Sequence, residues 1–162
     1  MTPHVGLRAS TLVLAAVATT LVGWLGLRWW VSGGGVPADP PWIGAVVMLF
    51  LAGGLLGAGW QVKKVRDGAA ERHISPLRAA RTLVLGQAGA LTGALLVGWY
   101  VAHVLVLLPD SDVESQRGRI WPFLVHAGIA VLLAVAGMLV QWMCRVRRRD
   151  DEQDDDEAPL RA

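Results

Sequence analysis

Two histidines and a tyrosine stand in stretches that otherwise exclude charge. Tyr100 and His103 lie in one long apolar run and His126 in another. Read as helices at about 100° per residue, the first run places Gly86, Gly89, Gly93, Tyr100 and His103 on one face. The second places His126, Ala130, Gly137 and Gln141 together. Small residues mark the sides on which helices approach closely in lipid, so both imidazoles are expected to point inward. Their depths match, and the two rings are expected to approach each other within reach of Tyr100. Imidazole titrates near neutral pH and ionisable groups are costly in a bilayer. The trio therefore offers a binding site of intramembrane polar groups, proton-responsive or ligand-contacting. The plainer reading is two neutral imidazoles hydrogen-bonded to backbone or water. Two histidines are too few for a closed metal site. Asp110 or Asp112 could add ligands, but no spacing of metal-binding type supports it. No metal and no cofactor is expected.

A second set of chemically able residues is basic: Lys63, Lys64, Arg66, Arg78 and Arg81. Such a patch can touch phosphates. Its place between two apolar runs makes it first a determinant of membrane topology, and no nucleic-acid partner is expected. The chain carries no Walker sequence, no HExxH, no G-x-S-x-G and no CxxC, so an enzyme is not expected. No Asp or Glu falls within the apolar runs. Proton-coupled transporters commonly place a carboxylate there, which argues against a small four-helix drug antiporter.

These residues need elements to hold them. Four runs, 10–31, 43–62, 83–108 and 120–143, are nearly free of charge and have at least 20 residues each. At about 1.5 Å per residue each can cross a hydrocarbon core of roughly 30 Å. Helices satisfy their own backbone hydrogen bonds, which lipid cannot do. The expected fold is all-α: a polytopic membrane protein with four transmembrane helices in an up-down bundle. The chain has 162 residues, 54% of them apolar and 17% charged, against about 25% charged in ordinary soluble domains. The first run is too long for a signal-peptide core and lacks a small-x-small cleavage site, so it reads as a retained helix. The single cysteine, Cys144, excludes an intramolecular disulfide.

Charge sets the orientation. Of the 15 Lys and Arg residues, all but Arg28, Arg117 and Arg119 fall at the N-terminus, in the loop between the second and third runs, or in the tail. Cytoplasmic loops carry the positive excess, so N-terminus and C-terminus are both expected in the cytoplasm, in a bacterial plasma membrane. Tryptophan agrees: Trp29, Trp30, Trp42 and Trp121 fall at one set of helix ends, Trp60 and Trp142 at the other. Indole favours the headgroup boundary. Trp24 and Trp99 lie deeper and read as packing residues, and Arg28 is expected to snorkel to the headgroups.

The stretch 32–41 is rich in Gly and Pro and must end the first helix. Ser75-Pro76 reads as an N-cap with proline at the first helical position. Ser111-Asp112-Val113-Glu114 fits a capping box and a short helical lead-in to the fourth span. Residues 1–147 are expected to form the transmembrane domain. Residues 148–162, dominated by Asp and Glu, are expected to be a disordered tail. Thr11-Leu12-Val13-Leu14 recurs as Thr82-Leu83-Val84-Leu85, each with Gly-Trp downstream. A duplication would make a parallel repeat of two hairpins, and apolar low-complexity sequence produces the same echo.

The pattern resembles a known family. Gly23-Trp24 with Arg28-Trp29-Trp30, Pro41-Trp42, Gly59-Trp60-Gln61-Val62, Pro76-Leu77-Arg78-Ala79-Ala80-Arg81-Thr82-Leu83, Gly98-Trp99-Tyr100, and Asp112-Val113-Glu114-Ser115 before Arg119-Ile120-Trp121 look like the actinobacterial membrane proteins grouped as domain of unknown function 3180. The resemblance runs from about Arg8 to Arg147 and supplies no activity, cofactor or catalytic residue. The family's gene neighbourhoods imply at most a link to folate biosynthesis, and the sequence holds no recognisable pterin or folate site. The resulting expectation is a non-enzymatic accessory or scaffold subunit. Its partners would be the lipid bilayer and a membrane protein or further copies of itself. The alternative is a small oligomeric transporter or channel lined by Tyr100, His103 and His126.

Overall fold

A computed structural model describes residues 8–36, 38–66, 76–110 and 114–143. The acidic tail, Ser75, Asp112 and Arg72 lie outside the described residues. Four helices account for nearly all of the rest: α1 (Ala9–Ser32), α2 (Trp42–Arg66), α3 (Pro76–Leu107) and α4 (Glu114–Met143), with a 3-10 turn at Leu108–Asp110. All four are long and apolar enough to cross a membrane. The shortest has 24 residues, about 36 Å at about 1.5 Å per residue.

Three helices overrun their apolar stretches. α2 continues past residue 62 to Arg66, α3 begins at Pro76 rather than 83, and α4 begins at Glu114 rather than 120. A hydropathy span measures the width of the hydrocarbon, whereas a helix ends where its backbone is broken. Pro76 opens α3, as proline at a first helical position should. The α4 helix carries Pro122 in its interior, normally a disruptive place. The carbonyl that loses its partner belongs to exposed Gly118, where water or headgroups can solvate it. α1 ends as its glycines require: Gly33 and Gly35 N–H groups return to Trp30 O, and Gly34 takes φ +86°, a conformation that favours glycine.

α3 and α4 form the central antiparallel pair. α1 lies along α3, and α2 lies along α4 with a lesser contact on α3. α1 and α2 hardly touch, so the two hairpins are not equivalent in their packing. Within α1–α3 the contacts advance together, from Leu12 beside Ala90 and Ala94 to Gly23 beside Ala102; these helices run parallel. α2 and α4 also run parallel, from Gly44 near His126 to Gly59 near Val140. The start of α1, the end of α2, the start of α3 and the end of α4 therefore share one end of the bundle.

In lipid, apolar burial drives helix association weakly and close packing drives it strongly. The α3–α4 seam is built accordingly. A Cβ on Gly93 would come within 2.5 Å of the Ala134 backbone nitrogen, and one on Gly137 would strike the backbone of Ala90 and Gly86. Gly98 meets the backbone of α1 at Ala16 in the same manner. Large apolar side chains point outward instead: Phe50 is 81% exposed and Trp29 80%. Such a surface is suited to lipid rather than water.

Candidate functional site

Tyr100, His103 and His126 gather at the end of the bundle opposite the start of α1 and the end of α4. On α4, His126 is fully buried. Its Nδ1–H donates to the carbonyl of Pro122 one turn back, at 2.7 Å. Its Nε2 lies 3.2 Å from the carbonyl of Pro41, at the start of α2. Both partners can only accept, so both bonds form together only when the ring carries two protons. The ring also sits 5.2 Å from Tyr100 and 5.9 Å from Trp42, centroid to centroid. His126 thus joins three helices.

His103 on α3 makes the same local bond. Its Nδ1–H donates to the carbonyl of Trp99 at 2.9 Å. The ring stacks on Phe123 of α4, centroids 4.9 Å apart and 15° between planes, and meets the edge of Trp99 at 4.8 Å. Each histidine therefore faces an aromatic ring on the other helix: His103 faces Phe123, and His126 faces Tyr100. No ring contact joins the two histidines among the described residues. Aromatic pairs of this kind contribute roughly 0.5–1.5 kcal/mol beyond their burial.

His103 opens on its other side to a groove between α1 and α3. The groove holds about 810 Å³. Ala18, Gly23, Gly26, Trp30, Trp99 and His103 are among its walls, with Val36 and Ala38 of the connecting loop at its mouth. Thr19 also lines it and spends its hydroxyl proton on the carbonyl of Ala15, 2.9 Å away. No charged side chain lines the groove among the described residues. Arg28 sits instead over the ring of Trp24, 5.3 Å from its centroid.

The loop before α2 is tied to α4 a second time. Arg119 Nε donates to Asp39 Oδ1 at 3.0 Å. Arg119 thus reaches across to the first loop. Of the basic patch, Lys64 and Arg81 are exposed. Lys63, Arg66 and Arg78 stand on the ends of α2 and α3, with only their backbone described. No group of three metal-binding side chains occurs among the described residues.

Sequence reasoning missed Phe123, Pro41 and Asp39. Phe123 follows from the antiparallel register of α3 and α4, which no single helix encodes. Pro41 acts through its carbonyl, which has no side-chain signature. A family profile described as "Protein of unknown function (DUF3180)" matches residues 12–148. No curated protein and no solved structure matches the chain.

Proposed function

The chain belongs to the DUF3180 family of proteins of unknown function, whose profile covers most of its length, and from that premise we propose that it is a non-enzymatic accessory or scaffold subunit of the bacterial plasma membrane. The observation that carries this reading is the closure of the interior. His126 is fully buried between two backbone carbonyls, and the α3–α4 seam is closed by backbone contact at Gly93 and Gly137. A solute path along Tyr100, His103 and His126 would have to break that seam.

The bilayer-facing side of α2 supports the same reading. Gly53 and Gly57 are exposed, and a Cβ on either would meet nothing within 4 Å. Glycines four apart on an open face are the usual means by which a transmembrane helix receives another. The bundle would sit with both termini and the 63–81 segment in the cytoplasm, as the positive excess directs. Lys64 and Arg81 would then lie among anionic headgroups.

Affinity purification from native membranes in mild detergent, with mass spectrometry and stoichiometry, tests the proposal. A membrane protein in fixed ratio is the expected result, and Gly53→Leu with Gly57→Leu should release it without unfolding the bundle. A homo-oligomer with no partner would overturn the accessory reading in favour of transport. For orientation, cysteines at Ser32 and Ala69 in a Cys144→Ser background serve as reporters. A membrane-impermeant maleimide should label residue 32 on intact spheroplasts and spare residue 69; the reverse pattern would invert the topology.

A further inference from the structure

We infer that the groove between α1 and α3 is a binding site for an uncharged, hydroxyl-bearing lipid, with the hydroxyl donating to His103 Nε2. Three observations lead there. The groove is of ligand size, about 810 Å³, within the range of about 300–1,000 Å³ usual for small-molecule sites. Its walls are apolar, and it lies on helices that face the bilayer, so its occupant arrives from the membrane. Its one titratable group, His103, is 7% exposed and has a nitrogen to offer.

The chemistry of the occupant follows from that nitrogen. Nδ1 is committed as a donor to Trp99 O. In the neutral ring, Nε2 then has only a lone pair, and it has no hydrogen-bond partner among the described residues. Thr19 has likewise given away its proton, so its oxygen can only accept. The interior of the groove asks for a donor. With no Lys or Arg on its walls, it offers no counter-charge to a phosphate or carboxylate, whose burial without one is costly. Its only remaining side-chain donors among the described residues are the indole N–H groups of Trp30 and Trp99. An alcohol on an apolar body meets both conditions. This site lies apart from the Gly53–Gly57 face, so it stands or falls independently of the accessory reading.

The test uses the full chain in phosphatidylcholine nanodiscs with hexadecanol carrying a diazirine on its chain. Labelling is expected on peptides of α1 and α3 that contain residues 18–30 and 99–103. Unlabelled hexadecanol should compete, whereas hexadecyl methyl ether and hexadecyl phosphate should compete poorly. His103→Phe keeps the stacking on Phe123 and loses the acceptor. It should weaken competition by hexadecanol about threefold to tenfold, the value of one neutral hydrogen bond. Gly26→Leu should abolish labelling in the groove while leaving the fold intact, since a Cβ there meets nothing within 4 Å. Competition by the ether equal to that of the alcohol would overturn the inference, because the groove would then hold any lipid chain. So would an unchanged response in His103→Phe, or groove peptides left unlabelled because a second copy of the chain occupies them.

Discussion

His103 and His126 are near mirror images in their local chemistry and opposites in their setting. Each donates Nδ1–H to the carbonyl four residues earlier, and each lies against an aromatic ring of the neighbouring helix. The difference comes from the flanking helix. α2 begins at His126 and lays the Pro41 carbonyl against Nε2. α1 passes His103 with Gly23 packed close on Ala102 and with Gly26, where a side chain would enter the groove. A helix thus fixes one nitrogen of its own histidine. A third helix decides whether the other nitrogen is structural or available.

Gly93→Leu would break both settings at once, because the α3–α4 seam sets the depth of each ring. The new side chain would have to enter the backbone of Ala134. Overpacking usually costs about 1–3 kcal/mol and more against rigid backbone, so this variant should fail to give a folded monomer by size exclusion and circular dichroism in detergent. A well-folded Gly93→Leu protein would mean that the two histidines do not share a frame.

The next largest effect separates the two residues. His126→Phe places a larger ring in a fully buried site packed against Pro41, Tyr100 and Trp42, and overpacking of that kind costs about 1–3 kcal/mol. The Pro41 carbonyl itself still accepts from Gly44 N–H. His103→Phe removes only a bond to a carbonyl that still accepts from its own helix, so its cost should stay below about 1 kcal/mol. Unfolding in mixed detergent micelles, compared between the two variants, gives the difference directly. Equal losses would contradict the assignment of one ring to structure and the other to the groove.

Much of this arrangement was legible in the sequence, and the boundary is physical. Membrane spanning follows from apolar length, and the inward faces follow from the periodicity of Gly86, Gly93 and Gly137. Both are local properties. The order of the helices was not legible, since apolar faces in lipid are nearly interchangeable and the choice rests on backbone fit at Gly98 and Gly137. Nor could the sequence show that Tyr100 would meet His126 while His103 meets Phe123. Those pairings depend on an offset between antiparallel helices of a few ångströms. The groove was hidden for a further reason: it lies where Gly26 lacks a side chain.

The smallest predicted effect tests why α2 starts where it does. The segment 39–41 is held to α4 by an exposed ion pair, Asp39 with Arg119, and by the contact of the Pro41 carbonyl with the buried ring of His126. Asp39 is 61% exposed at its side chain, so its pair with Arg119 should contribute only about 0.2–1 kcal/mol. Asp39→Ala should therefore cost little, and less still in 1 M salt, where screening acts within about 3 Å. The informative measurement is the double variant with His126→Phe. Two tethers on three consecutive residues constrain the same few backbone angles, so losing one leaves the other less to hold. The combined loss should then fall short of the sum of the single losses, by at most the loss of Asp39→Ala alone, as for neighbours that share a network. Strict additivity would mean that the ion pair orders only its own side chains. The position of the Pro41 carbonyl, and with it the closure of His126, would then rest on α2 packing alone.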